Sequence, residues 1–182
     1  MFNPDIHHRQ STRLREYDYA GAGAYFVTVC VHERECLFGD IREDTMRLNE
    51  AGRIVESIWQ AVPKRFPNVR LDEFRIMPNH FHGIIVITDV VGALLAAPDI
   101  SSSDSKQGAA SSAPTLGKIM RMFKSISAIQ VNLVLDRQGQ PLWQRNYYER
   151  IVRDEEELAT IREYIIANPM QWAEDKENPD VT

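Results

Sequence analysis

Nine consecutive residues constrain this chain most: His80-Phe81-His82-Gly83-Ile84-Ile85-Val86-Ile87-Thr88. Past its first residues the run is apolar at odd and even positions alike. A half-buried strand alternates apolar and polar side chains, so this run predicts a central strand covered on both faces.

Periodicity and punctuation supply the other elements. Residues 25–31 are rich in β-branched and aromatic types and predict a strand, with Gly21 and Gly23 breaking the chain before it. Residues 69–77 predict another, separated from His80 by Pro78-Asn79. Segments 35–38 and 45–48 are expected to pair as short strands around Gly39-Asp40, and 143–152 to form the last strand. Asn49 caps a helix predicted from about residue 50 to 66, with Ala51, Ile54, Val55, Ile58 and Val62 at helical spacing and Pro63 placed to kink or end it. Thr115 caps a second, over 116–135, with Ile119, Met122, Phe123, Ile126 and Ile129 as its apolar stripe. Asp154 and Glu157 fit a capping box for a third helix that ends at Asn168-Pro169. The order β, α, β, β, α, β, α fits an α+β fold of ferredoxin-like type, a mainly antiparallel sheet with helices packed on one face.

The 182 residues suit one domain. Within it, 89–114 holds six alanines, six serines and no aromatic residue, and is expected to be a flexible insertion. No apolar run nears the ~18 residues of a membrane span, and the first residues lack the features of a signal peptide. Cys30 and Cys36 form no metal-spaced set and are expected to be buried free thiols, which suits a reducing cytoplasm.

A net charge of −5 argues at first against a nucleic-acid partner. Its distribution argues otherwise, because residues 154–182 carry −7 and residues 1–153 carry +2. Basic residues cluster at Arg9, Arg13 and Arg15, at Lys118, Arg121 and Lys124, and at Arg145 and Arg150. Aromatic residues interleave with them, Tyr147 among these, as a surface that stacks bases and holds phosphates requires. The acidic tail at 174–182 is expected to be dispensable for such binding.

Two histidines at positions i and i+2 of a strand project from the same face and can share a cation. His80 and His82 stand so. On the last predicted helix Tyr164 and Asn168 are four residues apart and stack at the edge of the stripe formed by Leu158, Ile161 and Ile165. Spacing alone leaves other roles open: two packed core histidines, a core-edge phenol, and a helix C-cap before Pro169.

The stretches Phe74–Met77 with Pro78-Asn79-His80-Phe81-His82, Leu142-Trp143-Gln144-Arg145-Asn146-Tyr147-Tyr148-Glu149, and Tyr164-Ile165-Ile166-Ala167-Asn168-Pro169 go further. With His8-Arg9-Gln10-Ser11 and Gly23–Thr28, they resemble the REP-associated tyrosine transposases, relatives of the single-tyrosine transposases of small bacterial insertion sequences. The resemblance spans nearly the whole chain apart from the insertion and the tail. It implies a metal-dependent HUH endonuclease and strand transferase that cuts single-stranded or hairpin DNA through a 5′-phosphotyrosine link. His80 and His82 match the family's metal ligands, and Tyr164 matches its nucleophile. Asn168 stands where relatives put a third polar ligand, often Gln. The implied cofactor is a divalent metal, Mg²⁺ or Mn²⁺, and the implied assembly a monomer or homodimer. A non-catalytic, domesticated DNA-binding regulator of the same fold is the competing reading, and a hydrolase that uses water as nucleophile is a third.

Overall fold

The computed structural model describes residues 22–88 and 115–181. Arg9, Arg13 and Arg15, and the Ala/Ser-rich stretch expected to be a flexible insertion, lie outside the described residues. Strand β1 (Gly23–Cys30) leads to a hairpin, β2 (Gly39–Arg42) and β3 (Thr45–Leu48), and then to helices α1 (Glu50–Gln60) and α2 (Val62–Arg65). β4 (Val69–Ile76) and β5 (His80–Ile87) follow, then α3 (Leu116–Val134), β6 (Tyr148–Val152) and α4 (Glu155–Ala167). A 3-10 segment, Asn168–Glu174, continues from α4. The main sheet has the order β4-β5-β1-β6 with every neighbour antiparallel. That is the expected α+β, ferredoxin-like arrangement, with the two-sided apolar strand β5 in the interior of the sheet.

Local chemistry accounts for most boundaries. Asn49 caps α1 by accepting from the Gly52 amide, and Thr115 caps α3 by accepting from Lys118. Pro63 falls in the first turn of α2, where a missing N–H costs nothing, so the helix predicted to run to 66 is divided at Ala61. At the start of α4, Asp154 accepts from the Glu157 amide while the Glu157 carboxylate accepts from Arg153. The small hairpin departs from expectation. Its turn is Glu43-Asp44, with φ of 49° and 57°, the two left-handed residues of a tight two-residue loop. Gly39 instead opens β2, where a Cβ would sit 2.0 Å from the Arg47 carbonyl oxygen.

Residues 143–147 do not join the last strand as expected. Trp143 turns into the core against Phe38 and Phe123, and its Nε1 donates to Ser127 Oγ at 2.8 Å. The Lys124 ammonium then donates to the carbonyls of Gln144, Arg145 and Asn146 at 2.7, 3.0 and 3.4 Å. A side chain thus satisfies backbone groups that a sheet ladder would otherwise take. On α3 the buried line runs through Leu116, Ile119, Met120, Phe123, Ser127 and Val131, whereas Ile129, assigned to the apolar stripe, is 68% exposed.

The expectation of helices on one face needs correcting. Odd-numbered residues of β1 and β5, among them Tyr25, Val27, Phe81 and Ile85, form the large core with α1 and α3. Trp59 lies at its centre, against Phe81 and Phe123. A Cβ on Gly83 would come within 2.9 Å of that indole, which is why the central strand carries glycine there. Even-numbered Phe26 and Ile84 face the other way and pack under Leu158, Ile161 and Ile165 of α4. The last helix therefore covers the opposite face, because the β5 run is apolar on both sides and both must be buried.

Each of these five buried side chains contributes on the order of 2 kcal/mol, so apolar contact holds α4 and polar contact sets its position. The position is set at a register shift in β4 between Leu71 and Phe74, where the Arg162 guanidinium donates to both Asp72 carboxylate oxygens at 2.7 and 2.6 Å. Arg162 holds the Asp72 carboxyl below the usual carboxylate range, against a smaller opposing effect of burial. A depressed carboxylate stabilises the fold above its unfolded pKa and loses that contribution as pH falls through the folded value. Asp72→Asn is therefore expected to be less stable than the parent at pH 7 in denaturant titrations. The gap should close as pH falls below about 4; a gap that persists there would mean that Asp72 acts by packing alone.

Candidate active site

Strand register builds the site. Thr28 on β1 lies directly opposite His82 on β5, and Cys30 opposite His80. Directly opposed residues point to the same face, here the face under α4. Both imidazoles are buried, with exposures of 0% and 3%, and their ring centroids are 4.6 Å apart. The hydroxyl of Thr28 meets His82 Nδ1 at 2.8 Å.

Asn79 fixes the other histidine. Its Nδ2 donates to the carbonyls of Arg34 and Glu177 at 2.9 and 2.6 Å, which leaves Oδ1 to accept from His80 Nδ1–H at 3.0 Å. In that tautomer the lone pair sits on His80 Nε2, a buried atom without a hydrogen-bond partner. Burial lowers the pKa of His80 against the opposing charge of Asp175, and burial followed by the nearness of His80 puts His82 well below its ordinary value. Both rings are thus neutral at pH 7, as metal ligands must be.

Helix α4 brings the remaining groups. Tyr164 is half-exposed, and its hydroxyl stands 3.5 Å from His82 Nε2. Its ring meets Phe26 edge-on at 6.1 Å. One turn on, Asn168 is buried, its Oδ1 lacks a hydrogen-bond partner, and its amide faces both His80 and Tyr164. Burial, then the charge of Asp175, raises the phenol pKa, while the Asn168 amide opposes them. The hydroxyl is therefore protonated at neutral pH and is a nucleophile only with help.

A cleft of about 330 Å³ opens beside Tyr164, His82 and Thr28, and Tyr147 and Tyr148 also line it. So do Asp175, Lys176 and Glu177 from the acidic end that was expected to be a dispensable tail. That end is pinned: Arg34 Nη1 donates to the Lys176 carbonyl at 3.0 Å, Arg34 Nε pairs with Glu177 at 3.2 Å, and Asn178 is buried. Trp172, whose ring lies 6.0 Å from that of His80, was the sequence signal for packing in this stretch. Burial and then Glu177 push the Cys30 thiol up to about 12, so this cleft cysteine is no nucleophile. Cys36 is exposed, contrary to expectation.

The residues singled out for DNA contact divide into groups. Lys118, Arg121, Lys124, Arg145 and Tyr147 line a second cleft of about 760 Å³ near the start of α3. Tyr147 is common to both clefts. Lys124, however, is committed to the 144–146 carbonyls. Arg150 lies away from this cleft and pairs with Glu157.

A cation at this site would meet a small set of neutral donors. Among the described residues no three His, Cys, Asp or Glu side chains are grouped to hold a metal ion. Two imidazoles and an amide do converge, and the orphaned His80 Nε2 and Asn168 Oδ1 are acceptors that a cation would satisfy.

No protein-family model matches the chain. An uncharacterized protein of Haemophilus influenzae is 42% identical over 179 residues, 96% of each chain. The chain belongs to one family with that protein. The solved structure of a REP-associated tyrosine transposase bound to a REP hairpin matches with a TM-score of 0.56, over 89% of this chain and 74% of that one. This is the fold of a REP-associated tyrosine transposase. At 16% identity the likeness is one of architecture. Within this transposase fold, no helix among the described residues is long and apolar enough to cross a membrane.

Proposed function

We propose that the chain is a single-tyrosine HUH endonuclease and strand transferase acting on hairpin DNA, with Tyr164 as nucleophile. The observation that carries this reading is the hydroxyl of the half-exposed Tyr164, 3.5 Å from a buried neutral histidine at a cleft that both residues line. A core-edge tyrosine also keeps its polar end in water, and what sets Tyr164 apart is the buried histidine beside its hydroxyl. A binding module would have no use for two buried histidines side by side next to it.

His80, His82 and Asn168 would hold a divalent cation, Mg²⁺ or Mn²⁺, which when bound polarises the scissile phosphate. Tyr164 supplies the rest. Its oxygen bonds to phosphorus as the P–O3′ bond breaks, the phenol proton leaves to water, and the departing oxygen takes up a proton as a 3′-hydroxyl. Lys176 faces the same cleft and places a positive charge near the phosphate. Attack by a 3′-hydroxyl on the phosphotyrosine rejoins a strand without external energy. Tyr147 and Tyr148 offer ring faces for unpaired bases.

The test is incubation with labelled hairpin DNA and Mn²⁺, followed by a denaturing gel. A covalent protein–DNA adduct is expected. Hairpin binding with no adduct would favour the non-catalytic regulator instead. The second cleft makes a separate prediction, since each phosphate contact releases counterions. Arg121→Ala and Arg145→Ala should each lower the log–log salt slope of hairpin affinity by roughly 0.7–0.9. Arg150→Ala, already paired with Glu157, should change it less; equal slopes in all three variants and the parent would remove this cleft from the DNA path.

A further inference from the structure

We infer that Phe26 is a positioning residue: its one buried ring holds the ring of Tyr164, and the imidazole of His82 beside it, in the orientation that strand cleavage needs. The inference rests on the nucleophile reading above and goes beyond it in naming what aims the phenol.

Register puts Phe26 at the centre. On β1 it lies two residues before Thr28 and on the same face. Thr28 is paired with His82 on one side and with Tyr148 on the other, so Phe26 is the diagonal neighbour of both. Helix α4 then lays Tyr164 against the same ring. The angles are those that aromatic quadrupoles favour. His82 stacks on Phe26 with centroids 5.6 Å apart and planes 21° from parallel. Tyr164 and Tyr148 make T-shaped contacts with it, at 6.1 and 6.2 Å and at 87° and 67°.

Other contacts fix the helix without fixing this side chain. The apolar layer of Leu158, Ile161 and Ile165 and the Arg162–Asp72 pair hold α4 in place. Neither sets the torsions of a half-exposed tyrosine at the helix margin. At 3.5 Å the approach of the hydroxyl to His82 is too long to set them alone. Ring contacts do so, with Phe26, itself 8% exposed, and with the His82 imidazole at 5.3 Å. A branched aliphatic residue at position 26 would fill the layer under α4 and present no ring to Tyr164. Misplacing a reacting atom by about 1 Å costs on the order of a hundredfold in rate.

The experiment compares Phe26→Leu with Leu158→Ala, which loosens the same apolar layer and removes no ring. Single-turnover adduct formation on labelled hairpin DNA with Mn²⁺ is measured well below each thermal transition, at saturating protein. Phe26→Leu should form adduct at least about tenfold more slowly, with hairpin affinity within about twofold of the parent. Leu158→Ala should react as the parent does. A second readout needs neither DNA nor metal: ring signals of ¹³C-labelled tyrosine by NMR, with that of Tyr164 identified from its loss in Tyr164→Phe. The Tyr164 signal should move in Phe26→Leu and stay in Leu158→Ala. If Phe26→Leu is unfolded, Phe26→Met decides, since it fills the gap flexibly and without a ring: slow adduct formation supports the inference and a parental rate overturns it. Equal slowing in Phe26→Leu and Leu158→Ala would show that Phe26 is only core, and an unmoved Tyr164 signal in Phe26→Leu would overturn the inference as well. A parent that forms no adduct would sink the nucleophile reading, whereas the tyrosine signals answer for Phe26 by themselves.

Discussion

Tyr164→Phe is expected to bind hairpin DNA and Mn²⁺ as the parent does, and to form no covalent adduct and release no 3′-hydroxyl fragment. The substitution removes one oxygen and keeps the ring. The ring's edge contacts with Phe26 and His82, at centroid distances of 6.1 and 5.3 Å, do not depend on that oxygen. The hydroxyl contributes little to stability, since its residue is half-exposed and its 3.5 Å approach to His82 is at the limit of a hydrogen bond. Folding and binding should therefore pass through the change intact, and only the chemistry should fail. Tyr147→Phe and Tyr148→Phe are the controls, because both residues line the same cleft and offer the same atom. They should retain adduct formation, with at most weaker binding.

His80→Ala and His82→Ala are expected to lose metal-dependent cleavage by at least about a hundredfold while still binding the hairpin. Outer partners of metal ligands already cost 10–100-fold when removed, and these two are placed as the ligands themselves. Each truncation also leaves a neighbour unpaired, the buried Asn79 Oδ1 in one case and the hydroxyl of the partly buried Thr28 in the other. A lower thermal transition should accompany the lost activity, and hairpin binding measured alongside separates the two effects. Asn168→Ala should do less, because water can replace a neutral amide oxygen. Normal Mn²⁺-dependent cleavage by both histidine variants would exclude this metal site.

Much of the site was legible in the chain because it depends on local period. Strand parity puts His80 and His82 on one face whatever the surroundings, and helical spacing stacks Tyr164 above Asn168. Their partners depend on register and could not be read. Nothing local says that Thr28 lies opposite His82, since that follows from how β1 pairs with β5. The layering was legible but misjudged: the order of elements suggested helices on one face, while the two-sided apolarity of β5 already demanded cover on both. The acidic end misled most. Charged composition reads as an acidic tail dispensable for DNA binding and gives no sign of packing, yet Asn79, Arg34 and Trp172 tie it beside His80, and those ties are tertiary. Lys124 misled in the same way. Its place in a basic cluster suggested phosphate contact, and its distances show that it staples the loop bearing Gln144 and Arg145.

The assignment of Tyr164 is tested most directly by trapping the adduct and mapping it. The full chain is incubated with a hairpin oligonucleotide and Mn²⁺, quenched in denaturant and digested, and the peptides are sequenced by mass spectrometry. The account predicts nucleotide attached through phosphate to Tyr164, in the tryptic peptide that runs from Glu163 to Lys176. Nucleotide on Tyr147 or Tyr148 would contradict it.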